Sequence, residues 1–440
     1  MNSISKKRTT NYVAQLKISF IFKVLAMFFS FMMVPIMIRY LGSEKYGVWS
    51  TLISISTWIV LFDLGIGNGL RNKISESIAV NRVGCAQNYI STAYVLIGGA
   101  SILIGVFSLW VSNFIPWGAV FNTSILSEHD LLLTVNVTIC FVLVNFLLSL
   151  VNQVFNGLQK TGLVVLNQFL SNALSFLFIW LLTFFIEGSI VLLAIVYGAA
   201  LCFSNVLISV WFFSANPEFK PIIKSFKKEC INAIVSLGFK FFVIQIAVII
   251  LFTTDKIVIT QLFGPEHVTE YDVVFKLFSC ITIIQGVIMA PLWGAYSDAY
   301  HRHDLVWLQD MMKKQLKFFL IFVLIVVLLV FFAPHILGFW VGQEFTYNHQ
   351  LYFMMGLFVL ISCWNSIFAI FVNGVNRLRL QFITSIIALI INIPLSIFLV
   401  KFWGMGVDGV VLGTILSLSL FGITAPVQVY SILNPKENFK

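Results

Sequence analysis

The sequence predicts an all-α polytopic membrane protein, and three observations carry that prediction. The 440 residues are 59% hydrophobic and only 10% charged, where a soluble globular domain carries about 25% charged residues. Phe alone occurs 45 times, too much apolar surface for one water-solvated core. Apolar runs long enough to cross a membrane, about 20 residues each, recur along the whole chain. A membrane β-barrel would instead alternate in segments of about ten residues, half the length of these runs.

Twelve such runs follow in order: 18–39, 47–67, 89–112, 131–155, 162–186, 189–213, 233–261, 271–293, 318–341, 349–371, 380–401 and 407–431. Lys and Arg orient them. The odd-numbered hydrophilic segments, beginning with the N-terminal tail, hold 20 of the 27 cations; the even-numbered ones hold Arg39, Lys45 and Lys401. Basic loops stay on the cytoplasmic side, so both termini are expected there. The net charge of +9 is thus a topology signal, and no nucleic-acid partner is expected. The first run is interrupted by Lys23 and lacks a small-residue cleavage site, which reads as a retained helix. The six cysteines stand singly, indicating neither a disulfide framework nor a metal site.

Segment 214–232 contains Pro217, Pro221 and four lysines and reads as a cytoplasmic linker. The expected organisation is a six-helix lobe over 1–214, the basic linker 215–232 and a second six-helix lobe over 233–440. The halves align with each other. At an offset of 217, Phe22-Lys23 meets Phe239-Lys240, Arg39 meets Lys256, and Asn156-Gly157 meets Asn373-Gly374. After the first helix the offset widens to 222, where Gly42 meets Gly264, Glu44 meets Glu266 and Asp63 meets Gln285. Six helices per half give both copies the same orientation, a parallel pseudo-two-fold repeat with a substrate site expected between the halves.

Amides and hydroxyls fall on single helix faces. Thr134, Thr138, Asn145, Ser149, Asn152 and Asn156 recur at helical spacing in the fourth run; Ser362, Asn365, Ser366, Asn373 and Asn376 are their counterparts in the tenth. Small polar residues glue membrane helices together; paired stripes in both halves also suit a hydrated cavity, with Asn145, Asn152 and Asn365 as candidate substrate contacts.

Four lysines lie inside the runs: Lys23, Lys240, Lys256 and Lys276. Snorkelling to the headgroups competes with a binding role for Lys23 and Lys240, and for Arg39 and Lys256 near the outer face. Sixteen residues separate Lys23 from Arg39, so the two point about 160° apart on a straight helix, a limit that a kink at Pro35 relaxes. Asp272 and Lys276 are spaced for a helical ion pair, whereas Asp255 and Lys256 are adjacent and must seek separate partners. Asp63 has no cation one turn away on its own helix. An acid at membrane depth is costly and tends to be functional, so Asp63 is a candidate for a transport role, with a buried ion pair as the competing reading. No Gly-Lys dipeptide exists, hence no Walker A loop, and no metalloprotease or serine-hydrolase motif occurs. No enzyme signature is present.

The run Leu41-Gly-Ser-Glu-Lys-Tyr-Gly-Val-Trp49, followed by Asp63-Leu-Gly-Ile-Gly-Asn-Gly-Leu70, resembles the first two helices of Wzx-type O-antigen flippases. These belong to the multidrug/oligosaccharidyl-lipid/polysaccharide exporter superfamily. Asn156-Gly157-Leu158-Gln159-Lys160 and Gly406-Val-Asp-Gly409 look similar too, and length, helix count and repeat agree over the whole chain. The resemblance implies a MATE-like fold and a transporter of the bacterial cytoplasmic (inner) membrane. It implies a cargo of undecaprenyl-diphosphate-linked oligosaccharide, moved from inner to outer leaflet by alternating access and coupled to H+ or Na+ rather than to a bound cofactor. A polysaccharide polymerase and a chain-length regulator are the implied protein partners. Lys23, Arg39, Lys240, Lys256 and Lys276 would then face the diphosphate, and the implied ion coupling makes Asp63 and Asp255 the candidate ion-coupling groups. Two rivals stay open: a drug or cation antiporter of the same superfamily, which would favour an acid-lined cavity, and a membrane-embedded polysaccharide polymerase, which would carry a large outer loop.

Overall fold

The computed structural model describes residues 3–58, 65–79, 82–289, 292–301, 303–342, 348–375 and 377–434. Packing divides the chain into two compact units, 1–246 and 247–440. Among the described residues every regular element is helical. Ten helices among those residues are long and apolar enough to cross a membrane, in keeping with an all-α, multi-pass chain.

The first unit runs α1 (Ser3–Leu41), α2 (Ser43–Ser56), α3 (Ile66–Ala79), α4 (Val83–Ser112), α5 (Trp117–Phe121), α6 (Glu128–Leu148), α7 (Leu150–Gly157), α8 (Thr161–Phe185) and α9 (Ile190–Ala215). It also takes in the start of α10 (Lys228–Phe263). The second unit holds the rest of α10, then α11 (Pro265–Met289), α12 (Leu292–His301), α13 (Leu305–Trp340), α14 (His349–Gly374), α15 (Arg379–Trp403) and α16 (Val407–Leu433). Of the run 47–67, the described parts are α2 with the two residues after it and residues 65–67, where α3 begins; residues 59–64 lie outside the described residues. The run 271–293 follows α11 to Met289 and enters α12 at Leu292, residues 290–291 lying outside the described residues; the other runs coincide with helices, α6 and α7 together forming the fourth.

Local chemistry sets several helix starts. Ser127 accepts from Asp130 N at 3.1 Å and donates to its carboxylate at 2.8 Å, a reciprocal N-cap. Asp304 caps α13 through Trp307 N at 3.0 Å, and Asn348 caps α14 through Leu351 N at 3.1 Å. Segment 294–317, polar enough to read as a loop, contains most of α12 and the start of α13. These turns are helical without being apolar, so a rule tuned to membrane runs passes over them. In α3, likewise polar, Lys73 bonds Glu76 at 2.7 Å, and that hydrogen bond raises the ammonium above its ordinary value.

The repeat is visible in the helix ends. α2 begins at Ser43 and α11 at Pro265, an offset of 222; α7 ends at Gly157 and α14 at Gly374, an offset of 217. Both α2 and α11 follow a single glycine with positive φ, Gly42 at 80° and Gly264 at 97°. An L side chain is strained there, which accounts for the same residue in both copies. Each unit has its own core. Leu70, Ile74, Ile90, Val154, Phe155, Phe212 and Ile234 pack together in the first; Tyr296, Leu308, Ile367, Phe371 and Val429 do so in the second.

Candidate functional site

In the second unit, α10 ends at Phe263 and α11 begins at Pro265, with Gly264 between them. Lys256, eight residues before it, bonds Asp272, eight residues after it. Lys276, one turn along α11, holds the other oxygen of Asp272 at 3.2 Å. One carboxylate thus gathers two ammonium groups, and Asp272 is only 1% exposed. The pair expected from the i, i+4 spacing forms, and Lys256 joins it.

Asp255 points elsewhere, as adjacency on a helix requires. Its Oδ1 accepts from the Thr414 hydroxyl of α16 at 2.8 Å, and its Oδ2 from the Tyr271 hydroxyl of α11 at 3.1 Å. The Asn392 amide of α15 donates to Thr414 Oγ1 at 2.9 Å, and its Oδ1 accepts from Thr254 at 3.3 Å. Asp255 is 3% exposed and makes no ion pair among the described residues. A buried carboxylate held by two hydroxyls presents oxygen donors of the kind that hard cations take as ligands. Of this set, sequence reasoning singled out Asp255 and missed Tyr271, Thr414 and Thr254. Tyr271 lies seven residues after Gly264 and Asp255 nine before it, so no simple spacing marks this pair, and nothing local marks Thr414.

The amides of the first unit form a different structure. Asn205 of α9 donates to Asn145 Oδ1 at 2.8 Å, and Asn167 of α8 donates to Asn152 at 2.9 Å and to Asn205 at 2.8 Å. Ser204 donates to Asn167 Oδ1 at 2.9 Å and accepts from Ser171 at 3.0 Å. Asn145 and Asn152 therefore tie α6 and α7 to α8 and α9. Asn365 donates to the Leu418 carbonyl at 2.9 Å, joining α14 to α16. Gln285, the counterpart of Asp63, donates to the Cys363 carbonyl at 2.9 Å.

The remaining candidates are dispersed. Lys23 of α1 donates to Gln168 of α8 at 2.9 Å. Arg39 sits at the other end of α1, exposed, in a cleft of about 590 Å³. Asp63, Asn376 and the Lys240 side chain lie outside the described residues. No group of three or more His, Cys, Asp or Glu suits a metal ion among the described residues.

Comparison with known proteins bears on this arrangement. The chain is 23% identical over 394 residues to a protein from Salmonella typhimurium provisionally named an O-antigen transporter, spanning 87% of this chain and 88% of that one. It is 22% identical over 374 residues to a protein from Yersinia pseudotuberculosis provisionally named an O-antigen export protein, spanning 81% and 82%. Among solved structures, it superposes on an inward-facing multidrug resistance MATE family transporter of the MOP superfamily. The TM-score is 0.79 at 13% identity, covering 95% of this chain and 98% of that one, a likeness of fold. Residues 14–293 match the family model described as polysaccharide biosynthesis protein, and the chain belongs to that family.

Proposed function

We propose that the chain is a flippase that carries undecaprenyl-diphosphate-linked oligosaccharide units from the inner to the outer leaflet of the bacterial cytoplasmic membrane. It works by alternating access coupled to an ion gradient, with both termini in the cytoplasm. The cargo is supported by the family match and by the two relatives named for O-antigen transport or export. The observation that carries the mechanism is the buried carboxylate of Asp255, bonded by Tyr271 and Thr414. The Asp255 carboxylate, the two hydroxyls and the Asn392 amide oxygen are the oxygen donors that would hold H+ or Na+. Thr254, Tyr271, Asn392 and Thr414 come from α10, α11, α15 and α16, so occupancy at Asp255 changes the bonds that hold four helices. Lys256 and Lys276 bring two cations to membrane depth beside this network, chemistry suited to a diphosphate. Across the runs the cations Lys23, Lys240, Lys256 and Lys276 outnumber the acids Asp63, Asp255 and Asp272, which favours an anionic cargo over a cationic drug.

The test is a deletion strain scored for surface polysaccharide and for accumulated lipid-linked units. The wild-type chain should restore the first and clear the second; failure to do so would end the flippase reading. In vesicles under an imposed H+ or Na+ gradient, Asp255→Asn keeps the side-chain shape, and its gradient-dependent rate should fall to the ungraded level. A rate and an ion dependence equal to wild type would remove Asp255 from the coupling.

A further inference from the structure

We propose that the cleft around Arg39 in the first unit is a saccharide-binding subsite at the outer end of the lobe, an inference that rests on the cargo proposed above. The cleft lies between the C-terminal ends of α1 and α8 and measures about 590 Å³, within the roughly 300–1,000 Å³ of small-molecule sites. Both helices run outward on the positive-inside topology. Trp180 and Phe184 meet edge to face, their centroids 5.1 Å apart, and form an apolar corner. Arg39 and Glu187 face the same space, both exposed, and neither makes an ion pair among the described residues.

The loop after α8 is braced. The Tyr40 hydroxyl accepts from Ser189 N at 3.2 Å and donates to the Glu187 carbonyl at 3.4 Å, and Lys45 donates to the Gly188 carbonyl at 3.2 Å. At Gly188 a Cβ would lie 2.3 Å from the Tyr40 carbonyl oxygen, so only glycine lets the loop approach α1 this closely. An interfacial aromatic belt accounts for Trp180 and Phe184. It does not account for a loop pinned so that a carboxylate and a guanidinium share one pocket.

The ligand class follows from that pair. A pyranose offers apolar C–H faces to an aromatic ring and hydroxyls that a carboxylate accepts from and a guanidinium donates to. One cation and one anion leave the pocket near neutral. A phosphate drawn to Arg39 would be repelled by Glu187, so the pocket favours the neutral glycan over the diphosphate. It would receive the sugar end of the cargo as it reaches the outer side.

Saturation-transfer NMR on the full chain in micelles tests this. The probes are the methyl glycosides of glucose, galactose, mannose and N-acetylglucosamine, with inorganic pyrophosphate alongside. At least one glycoside should bind wild type. Trp180→Ala should weaken it about tenfold, equivalent to about 1.4 kcal/mol, with Trp180→Phe recovering much of the loss. Glu187→Gln and Arg39→Gln should weaken it as well. The proposal is overturned if no glycoside binds, if the variants bind as wild type does, or if pyrophosphate is the one probe whose signal depends on Arg39. The complementation assay separates the two readings. Restored surface polysaccharide with glycoside binding indifferent to Trp180 sinks the subsite alone, whereas unrestored polysaccharide sinks the flippase reading.

Discussion

Consecutive residues on a helix point about 100° apart, and Asp255 and Lys256 show what that geometry does. One turns to the hydroxyls of Tyr271 and Thr414, the other to the carboxylate of Asp272. Their divergence could be read from adjacency. Their partners could not, because they lie on the next helix or, for Thr414, 159 residues away. The asparagines of the first unit invite a direct measurement. Asn205 both donates to Asn145 and accepts from Asn167, so Asn205→Leu strands two amides at once. The expected cost is about 1–3 kcal/mol, read as a lower melting temperature in detergent. Unchanged melting would mean that the network contributes nothing to the fold. Isolated amides on a stripe look the same in sequence whether they line a cavity or bond one another, and for Asn145 and Asn152 only the position of Asn167 and Asn205 reveals the bonded partners.

At the scale of elements, hydropathy located the membrane-length helices because lipid requires each to be about 20 apolar residues long. It passed over α3, α12 and the first turns of α13, whose polar sequences answer to capping and to one-sided packing. Helix-to-helix distance is equally hidden, since glycine is cheap to place and ambiguous to read. Gly413 of α16 packs on α15, where an added Cβ would sit 2.3 Å from Ser396 Oγ and 3.0 Å from Ser396 Cα. Gly286 of α11 has nothing within 4 Å of that position. Gly413→Ala should therefore lower thermal stability. Gly286→Ala should raise it by up to about 1 kcal/mol, the helix-propensity gain. The two variants differ by one methyl group each, and equal melting temperatures would refute the close α15–α16 contact.

For the whole molecule, the cation bias predicts an orientation that the fold leaves open. Cys85 is exposed near the start of α4, on the side assigned to the cytoplasm. A membrane-impermeant maleimide should label it in inside-out vesicles and not in intact spheroplasts. Labelling in spheroplasts would invert the topology and with it the assignment of Arg39 to the outer end. The duplication was legible as a nearly constant offset, and it survives in helix ends and in Gly42 and Gly264. The divergence of the two interiors was less legible, because it resides in who bonds whom.

That divergence has an evolutionary consequence. Amides neither gain nor lose a proton under cellular conditions, so the bonds among Asn145, Asn152, Asn167 and Asn205 hold whatever the water on either side contains. On the proposed reading, the second copy placed a titratable acid, Asp255, where its own helices meet. Drift at the four asparagines then changes how well the lobe holds together, and drift at Thr254, Tyr271, Asn392 or Thr414 changes which ion the cell must supply. Two descendants of one ancestral segment would thus answer to different selective pressures, the first to temperature and the second to the salt and acidity of the habitat.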